Sequence, residues 1–387
     1  MLEMRRNISI LLFLLCIFIP ATAYGQAGNF DVNAKSAILM EAESGQVLFA
    51  KNEHLELPPA SITKIMTALL AMEAIDHGDV TLEDKVKASA LAESMGGSQI
   101  WLEAGEKMPL KDLLKSILIP SANDSAVAVA EHIGGTEQNF VRMMNQKAKQ
   151  LGMKNTLFVN TTGLPEEHGD HHSSAYDIAI MARELVKHKQ IFEWTSKRLA
   201  YIRNGSYPIY TTNELLGHFP DADGLKTGWT EEANYCLAGT AQRGDLRLIA
   251  VVMGTDSPSA RVDETAKLLN YGFRAFTKAI LINSGIEVST VEVKKGKELE
   301  VPVETAQSFS AMIERGTKEL VEQEVEITKE LEAPVKKGEQ VGKLIFKKDD
   351  RVLGKVDLVV AKDVERAGFF TLIWRWIVDF VMGFFEK

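Results

Sequence analysis

Apolar and polar positions along the chain change period three times. Two short apolar stretches, residues 37–40 and 47–50, flank the polar run Glu43-Ser-Gly-Gln46, which predicts a β-hairpin. After Pro58-Pro59, residues 61–75 are apolar on nearly every face (Ile62, Ile65, Met66, Leu69, Leu70, Met72), and a helix that is apolar all round belongs at the centre of a domain. Helical patterns follow over 110–119, 125–133, 140–151 and 175–188. They give way to strand patterns over 225–229, 235–242 and 246–254, the last two joined by Arg243-Gly-Asp245. An early hairpin and a late set of strands around a helical middle predict one antiparallel sheet closed by both ends of the domain and covered by helices, an α/β fold of the α+β kind.

From Asn283-Ser-Gly285 onward the chain turns to Val, Glu and Lys in period-two alternation, with glycine turns at Lys336-Lys-Gly338 and Arg351-Val-Leu-Gly354. This predicts a small all-β domain over residues 281–362 that carries no catalytic constellation and serves as a spacer or interaction module. In the tail, residues 363–387, large apolar residues surround Thr371, Arg375 and Asp379, which recur every four positions and so form one narrow stripe on a helix. Two charges in its middle make a membrane span costly. An amphipathic helix in the membrane interface, with Trp374 and Trp376 in that zone, is the favoured reading; a helix docked on the protein body is the alternative.

The opening residues add an export signal: Arg5-Arg6, an apolar run over 8–19 that is short for a span, and small residues before cleavage after Ala23 or Ala27. Residues 1–27 are thus read as a signal peptide and 28–280 as the catalytic domain. Leu15 before Cys16 disfavours lipidation, so Cys236 is the single cysteine of the exported chain. No intramolecular disulfide is available, and Cys236, inside a strand pattern, reads as a buried filler. With 387 residues and 45% hydrophobic content the chain can bury a sizeable core. A net charge of -9 excludes broad attraction for nucleic acid.

Three short motifs carry candidate chemistry. Ser61-Ile-Thr-Lys64 opens the apolar helix, so the hydroxyl and the amine share a face. Desolvation and a nearby positive charge would lower the lysine pKa from its usual ~10.4 and let a neutral amine take the serine proton. Pro120-Ser121-Ala-Asn123 interrupts a helical pattern, placing Ser121 and Asn123 on a bend where they either face a cleft or cap the next helix. Asp223-Gly-Leu-Lys226-Thr227-Gly228-Trp229 opens the late strands; Lys226 and Thr227 offer a charge and a donor for a carboxylate, and Gly228 would let a peptide approach the strand edge. His168-Gly-Asp170-His171-His172 has zinc-ligand residue types, but no further His and carboxylate set stands at ligand spacing nearby, and a structural loop is favoured over a metal site.

Taken jointly, Ser-x-x-Lys, Ser-x-Asn and Lys-Thr-Gly in this order form a known set for acyl-serine enzymes. Together with Pro59-Ala-Ser-Ile-Thr-Lys64, His172-Ser-Ser-Ala-Tyr-Asp177 and Gly224-Leu-Lys-Thr-Gly228, the chain resembles the low-molecular-mass penicillin-binding proteins that act as serine D-alanyl-D-alanine carboxypeptidases, and it does so over its whole length. The resemblance implies a β-lactamase/transpeptidase-like catalytic domain. It also implies that Ser61 forms the acyl-enzyme, Lys64 acts as base, Ser121 relays a proton to the leaving amine, and Asn123 holds substrate backbone or Lys64. By the same resemblance Lys226, Thr227 and Gly228 bind substrate, and the backbone N–H groups of Ser61 and Trp229 form the oxyanion hole. No metal or other cofactor is implied. The partners expected are stem peptides ending in D-Ala-D-Ala, β-lactams as covalent inhibitors, and the outer face of the cytoplasmic membrane. A serine β-lactamase shares the acylation parts, but no Glu-x-x-Leu-Asn segment is present. A non-catalytic wall-binding scaffold would have no need of a buried basic lysine.

Overall fold

The computed structural model describes residues 30–165, 170–349 and 351–385. The expected export signal lies outside them. All six residues of the strand Ser36–Glu41 are buried, as a strand flanked on both faces and both edges must be. It pairs antiparallel with Val47–Lys51 on one side and with Leu246–Thr255 on the other. Asn234–Arg243 and then Ala222–Thr230 complete a five-stranded antiparallel sheet, with Ala222–Thr230 at its outer edge. The two ends of the catalytic region therefore close one sheet.

Alternating side chains give this sheet two apolar faces. Ile38, Met40, Ile249 and Val251 point into a core shared with the helices Lys64–His77, Leu110–Leu118, Asn123–Gly134 and Ala175–Leu185. Leu39 and Leu248 point to the other face, where the helix Pro258–Ala275 approaches so closely that a Cβ on Gly272 would lie 2.8 and 2.6 Å from their side chains. That helix begins on Ser257, whose hydroxyl accepts the Ala260 N–H, with proline in its first turn. Lys64–His77 is the central helix, with ten of its fourteen residues buried, and it stops at Gly78 in the left-handed conformation.

Pro258–Ala275 runs directly into the strand Phe276–Ile282, whose partner is Phe309–Glu314. The division expected after residue 280 falls inside this strand. The composition shift at Asn283-Ser-Gly285 marks the turn that follows, with Gly285 at φ +72°, because no proline or glycine punctuates the helix-to-strand junction itself. The other strands between Glu287 and Val360 form a six-stranded sheet around a separate core that includes Val301, Val303, Phe346 and Leu358. The N-terminal hairpin locks onto this region: the Gln46 side-chain amide donates to Met312 O at 2.7 Å and accepts from Met312 N at 3.1 Å.

The C-terminal helix Phe369–Phe385 leaves Phe369, Phe370, Trp374 and Trp376 at least two-thirds exposed. Arg375 instead turns toward the all-β region and donates to Gly296 O (2.7 Å) and Lys297 O (3.0 Å). Among the described residues no helix is long and apolar enough to cross a membrane.

Candidate active site

The central helix starts one turn later than its apolar pattern suggests. Residues Ala60–Thr63 form a 3-10 turn, and the α-helix proper begins at Lys64. The tighter turn brings side chains three apart into register, and Lys64 Nζ lies 2.9 Å from Ser61 Oγ. The amine also donates to Asn123 Oδ1 (2.6 Å) and to the Thr162 carbonyl (3.0 Å). A neutral amine has two N–H groups and one lone pair. With both N–H groups directed at carbonyl oxygens, the lone pair is left facing the Ser61 hydroxyl.

Burial pushes the pKa of Lys64 down to about 7, and the nearby Asp124 carboxylate pulls it in the opposite direction. The negative Asp124 thus offsets part of the burial effect, while the charge coupling between Lys64 and Lys226 is of the positive kind expected from the sequence. Asp124 is kept from closing on the amine by its own duties. Its Oδ2 accepts the N–H groups of Ile100 (3.0 Å) and Leu102 (3.1 Å), and its Oδ1 accepts that of Ser125 (2.7 Å).

Ser121 sits on the expected bend at φ +70°, nearly buried, and Asn123 follows as the first residue of Asn123–Gly134. Asn123 does not cap that helix. Its oxygen holds Lys64, its Nδ2 donates to Gly96 O at 2.7 Å, and its backbone N–H donates to Ser98 O at 2.7 Å. Both ends of the amide are engaged inside the protein, so of the two roles implied by resemblance the bonds made here are those to Lys64.

The Lys-Thr-Gly segment lies on the edge strand Ala222–Thr230. Lys226 is fully buried, donates to Thr227 O at 2.9 Å, and has its pKa driven well below the ordinary lysine value by burial, then by the charges of Lys64 and Arg261. Thr227 Oγ1 lies 2.6 Å from Thr212 Oγ1. At Gly228 a close approach within the protein also requires glycine: a Cβ there would lie 2.8 Å from Pro59 O and 3.2 Å from Ala60 Cβ. Its missing side chain lets the edge strand press against the turn that carries Ser61. The Trp229 side chain is 53% exposed and tilts against Tyr235 with ring centroids 6.1 Å apart.

Two contributors were not read from the sequence. Arg261, 8% exposed, joins Lys64 and Lys226 in a buried cationic cluster; its Nη1 donates weakly to Gly228 O at 3.4 Å and its Nε has no hydrogen-bond partner. The signal was available, since Arg261 falls on the buried stripe of Pro258–Ala275 with Thr265, Leu268 and Leu269. Gly163, at φ +78°, faces the Ala60 carbonyl so closely that a Cβ would lie 1.8 Å from its oxygen. The local pattern Thr161-Thr162-Gly163 gives no hint of that approach.

In the histidine loop, His168 lies outside the described residues. His171 commits both ring nitrogens within the protein, Nδ1 to the Val159 N–H (3.3 Å) and Nε2 to Thr63 Oγ1 (2.8 Å). Burial, then the neighbouring His172, lowers its pKa to about 4. Among the described residues no group of three or more His, Cys, Asp or Glu gathers as a metal site requires. Cys236 is buried, and burial raises its thiol pKa to about 11.

Comparison with known proteins identifies the family. Residues 21–257 match the family model described as D-alanyl-D-alanine carboxypeptidase, peptidase S11, and residues 276–366 match the penicillin-binding protein 5 C-terminal domain. The chain is 42% identical to the D-alanyl-D-alanine carboxypeptidase DacF of Bacillus subtilis over 97% of its own length and 99% of the relative. Penicillin-binding protein 5 of Haemophilus influenzae superposes with a TM-score of 0.77 at 30% identity, over 87% of this chain and 99% of that one. The ampicillin-bound form of penicillin-binding protein D2 from Listeria monocytogenes, at 32% identity and a TM-score of 0.59, covers 63% of this chain and 99% of its own. With both domain matches in place and a relative 42% identical over nearly the whole chain, this chain belongs to the serine D-alanyl-D-alanine carboxypeptidases of the penicillin-binding protein family.

Proposed function

We propose that Ser61 is the residue acylated when the chain removes the terminal D-Ala of a peptidoglycan pentapeptide. The observation that carries this reading is the environment of Lys64: an amine with a pKa of about 7, both N–H groups engaged, 2.9 Å from the serine oxygen. Lys64 takes the Ser61 proton as Oγ attacks the penultimate D-Ala carbonyl. The N–H groups of Ser61 and Trp229 receive the oxyanion; losing one such donor costs ~10²–10³ in rate in a well-studied enzyme. As the tetrahedral intermediate collapses, the C–N bond breaks, and the proton passes through Ser121 to the departing D-Ala amine. Water then cleaves the ester and regenerates the Ser61 hydroxyl. Lys226, Thr227 and Arg261 face the terminal carboxylate.

β-Lactams, whose strained amide stands in for the D-Ala-D-Ala bond, acylate the same hydroxyl. Mass spectrometry of the protein after penicillin and after a D-Ala-D-Ala peptide tests this. A Ser61 adduct, and loss of D-alanine release in Ser61→Ala, are expected; unchanged release by Ser61→Ala would end the proposal. Rapid turnover of the penicillin adduct would favour the β-lactamase reading.

The chain works on the outer face of the cytoplasmic membrane, held there by Phe369–Phe385. Support comes from the exposed Phe369, Phe370, Trp374 and Trp376, an apolar surface that soluble proteins seldom leave open, and from Arg375, whose charge turns toward the protein rather than the lipid. Removing residues 368–387 should abolish co-sedimentation with lipid vesicles and leave penicillin acylation intact.

A further inference from the structure

We infer that His171 is a positioning residue for acylation, acting through Thr63 on the peptide group that joins Ala60 to Ser61. A backbone N–H can only donate, so the Val159 N–H fixes Nδ1 of His171 as the acceptor and leaves the neutral ring's proton on Nε2. That proton is given to Thr63 Oγ1, 2.8 Å away. The Thr63 hydroxyl in turn directs its own proton to Ala60 O, also at 2.8 Å. The relay therefore has one direction: Val159 N–H to His171, His171 to Thr63, Thr63 to the Ala60 carbonyl.

That carbonyl and the Ser61 N–H belong to a single planar peptide group, so fixing one fixes the other. Ala60 is held at φ +48°, a left-handed conformation that a residue with a Cβ adopts only when its surroundings impose it. Those surroundings are the Thr63 hydroxyl on one side of its oxygen and Gly163, with no room for a Cβ, on the other. A hydrogen bond received by the carbonyl also polarises the peptide and makes its N–H a stronger donor. His171 thus aims and strengthens the N–H that receives the oxyanion, without touching substrate. Its pKa, lowered to about 4, keeps the ring neutral at working pH, and the Val159 N–H selects the tautomer.

The assignment rests on Ser61 being the acylated residue. The test is the acylation of full-length protein by a fluorescent penicillin, resolved into a non-covalent dissociation constant and an acylation rate constant. In His171→Phe, which keeps a buried ring, and in Thr63→Val, nearly isosteric, the rate constant should fall about 10- to 100-fold, less than outright loss of an oxyanion donor, with the dissociation constant within about twofold. The double variant should be no slower than the slower single one, because both changes cut the same relay. His171→Gln, whose amide can accept from Val159 and donate to Thr63, should recover most of the loss. An acylation rate constant within about twofold of wild type in Thr63→Val, or additive losses in the double variant, would overturn the role of His171 while leaving Ser61 in place. A wild-type chain that forms no Ser61 adduct would overturn both readings.

Discussion

Acylation should follow the protonation of Lys64, which makes its pH dependence a direct measure of the buried amine. With a pKa of about 7, roughly a tenth of the molecules at pH 6 and ~1% at pH 5 carry the neutral base, so the rate of penicillin acylation should fall about tenfold per unit below 7 and level off above it. Replacing Asn123 with Asp puts a carboxylate where an amide oxygen now lies 2.6 Å from Nζ. An opposite charge at such range raises a pKa by ~1–3 units, which moves the acid limb to about pH 8–10. At pH 7, where half of the wild-type amine is neutral, the variant should therefore acylate ~5- to 500-fold more slowly than wild type and regain rate as the pH rises. Stopped-flow measurement of adduct formation between pH 5 and 10 reads both curves. A pH-independent loss in Asn123→Asp, or a wild-type profile flat between pH 5 and 8, would refute the assignment of Lys64 as the base.

The same shift has a consequence for stability. Between pH 7 and ~10.4 the unfolded chain binds a proton at Lys64 that the folded chain does not, so wild-type stability gains ~1.4 kcal/mol per pH unit from this site across that window and nothing below it. Urea titrations of wild type and Lys64→Met at pH 7 and 9 should diverge by about 2–3 kcal/mol in favour of wild type at the higher pH; parallel curves would count against a depressed pKa. Gly228→Ala places a Cβ 2.8 Å from Pro59 O, and the edge strand must move away from the Ser61 turn. Overpacking of this kind costs ~1–3 kcal/mol, and a displacement near 1 Å can cost ~10²-fold in rate. Thermal melts paired with acylation assays check it, and a variant as fast as wild type would show that the close approach is dispensable.

The architecture was legible in the sequence because its signals are periodic: the apolar hairpin over 37–50, the helix without a polar face, and the strands split by Arg243-Gly-Asp245. Those patterns report burial, and strand alternation then places the buried Ile38 and Leu39 on opposite faces of the sheet. The three motifs were legible as residue types, and the structure brings Ser61, Lys64 and Asn123 into one bonded group. The reason for Gly228 was not legible, since it depends on how near the edge strand comes to Pro59 and Ala60, a contact between segments far apart in the chain. Nor was the use of His171, because its partners Val159 and Thr63 give no composition signal. The helix-to-strand passage at Phe276 has no sequence signal for a local reason: Ala275 and Phe276 are continuous apolar sequence with no turn residue at the junction.

Burying Lys64, Lys226 and Arg261 together is unfavourable on its own terms. Burial lowers the pKa of all three, and the charges of Lys64 and Arg261 push Lys226 down further. Arg261 even leaves a buried Nε without a hydrogen-bond partner, a state that ordinarily costs ~1–3 kcal/mol. Such a cluster is tolerable if an anion arrives to complete it, and a D-Ala-D-Ala peptide brings one at its C-terminus. The carboxylate should therefore contribute more than ordinary surface attraction. A peptide substrate with its terminal carboxylate converted to an amide should lose ~10²-fold or more in kcat/KM, since charge-assisted bonds contribute ~1.5–3 kcal/mol each. In Arg261→Met the two substrates should differ much less, because part of the cationic partner is gone. D-Alanine release assays on the acid and the amide, with both proteins, give the four numbers required. Equal penalties for amidation in wild type and Arg261→Met would mean that Arg261 takes no part in binding the carboxylate and is buried beside Lys226 for another reason.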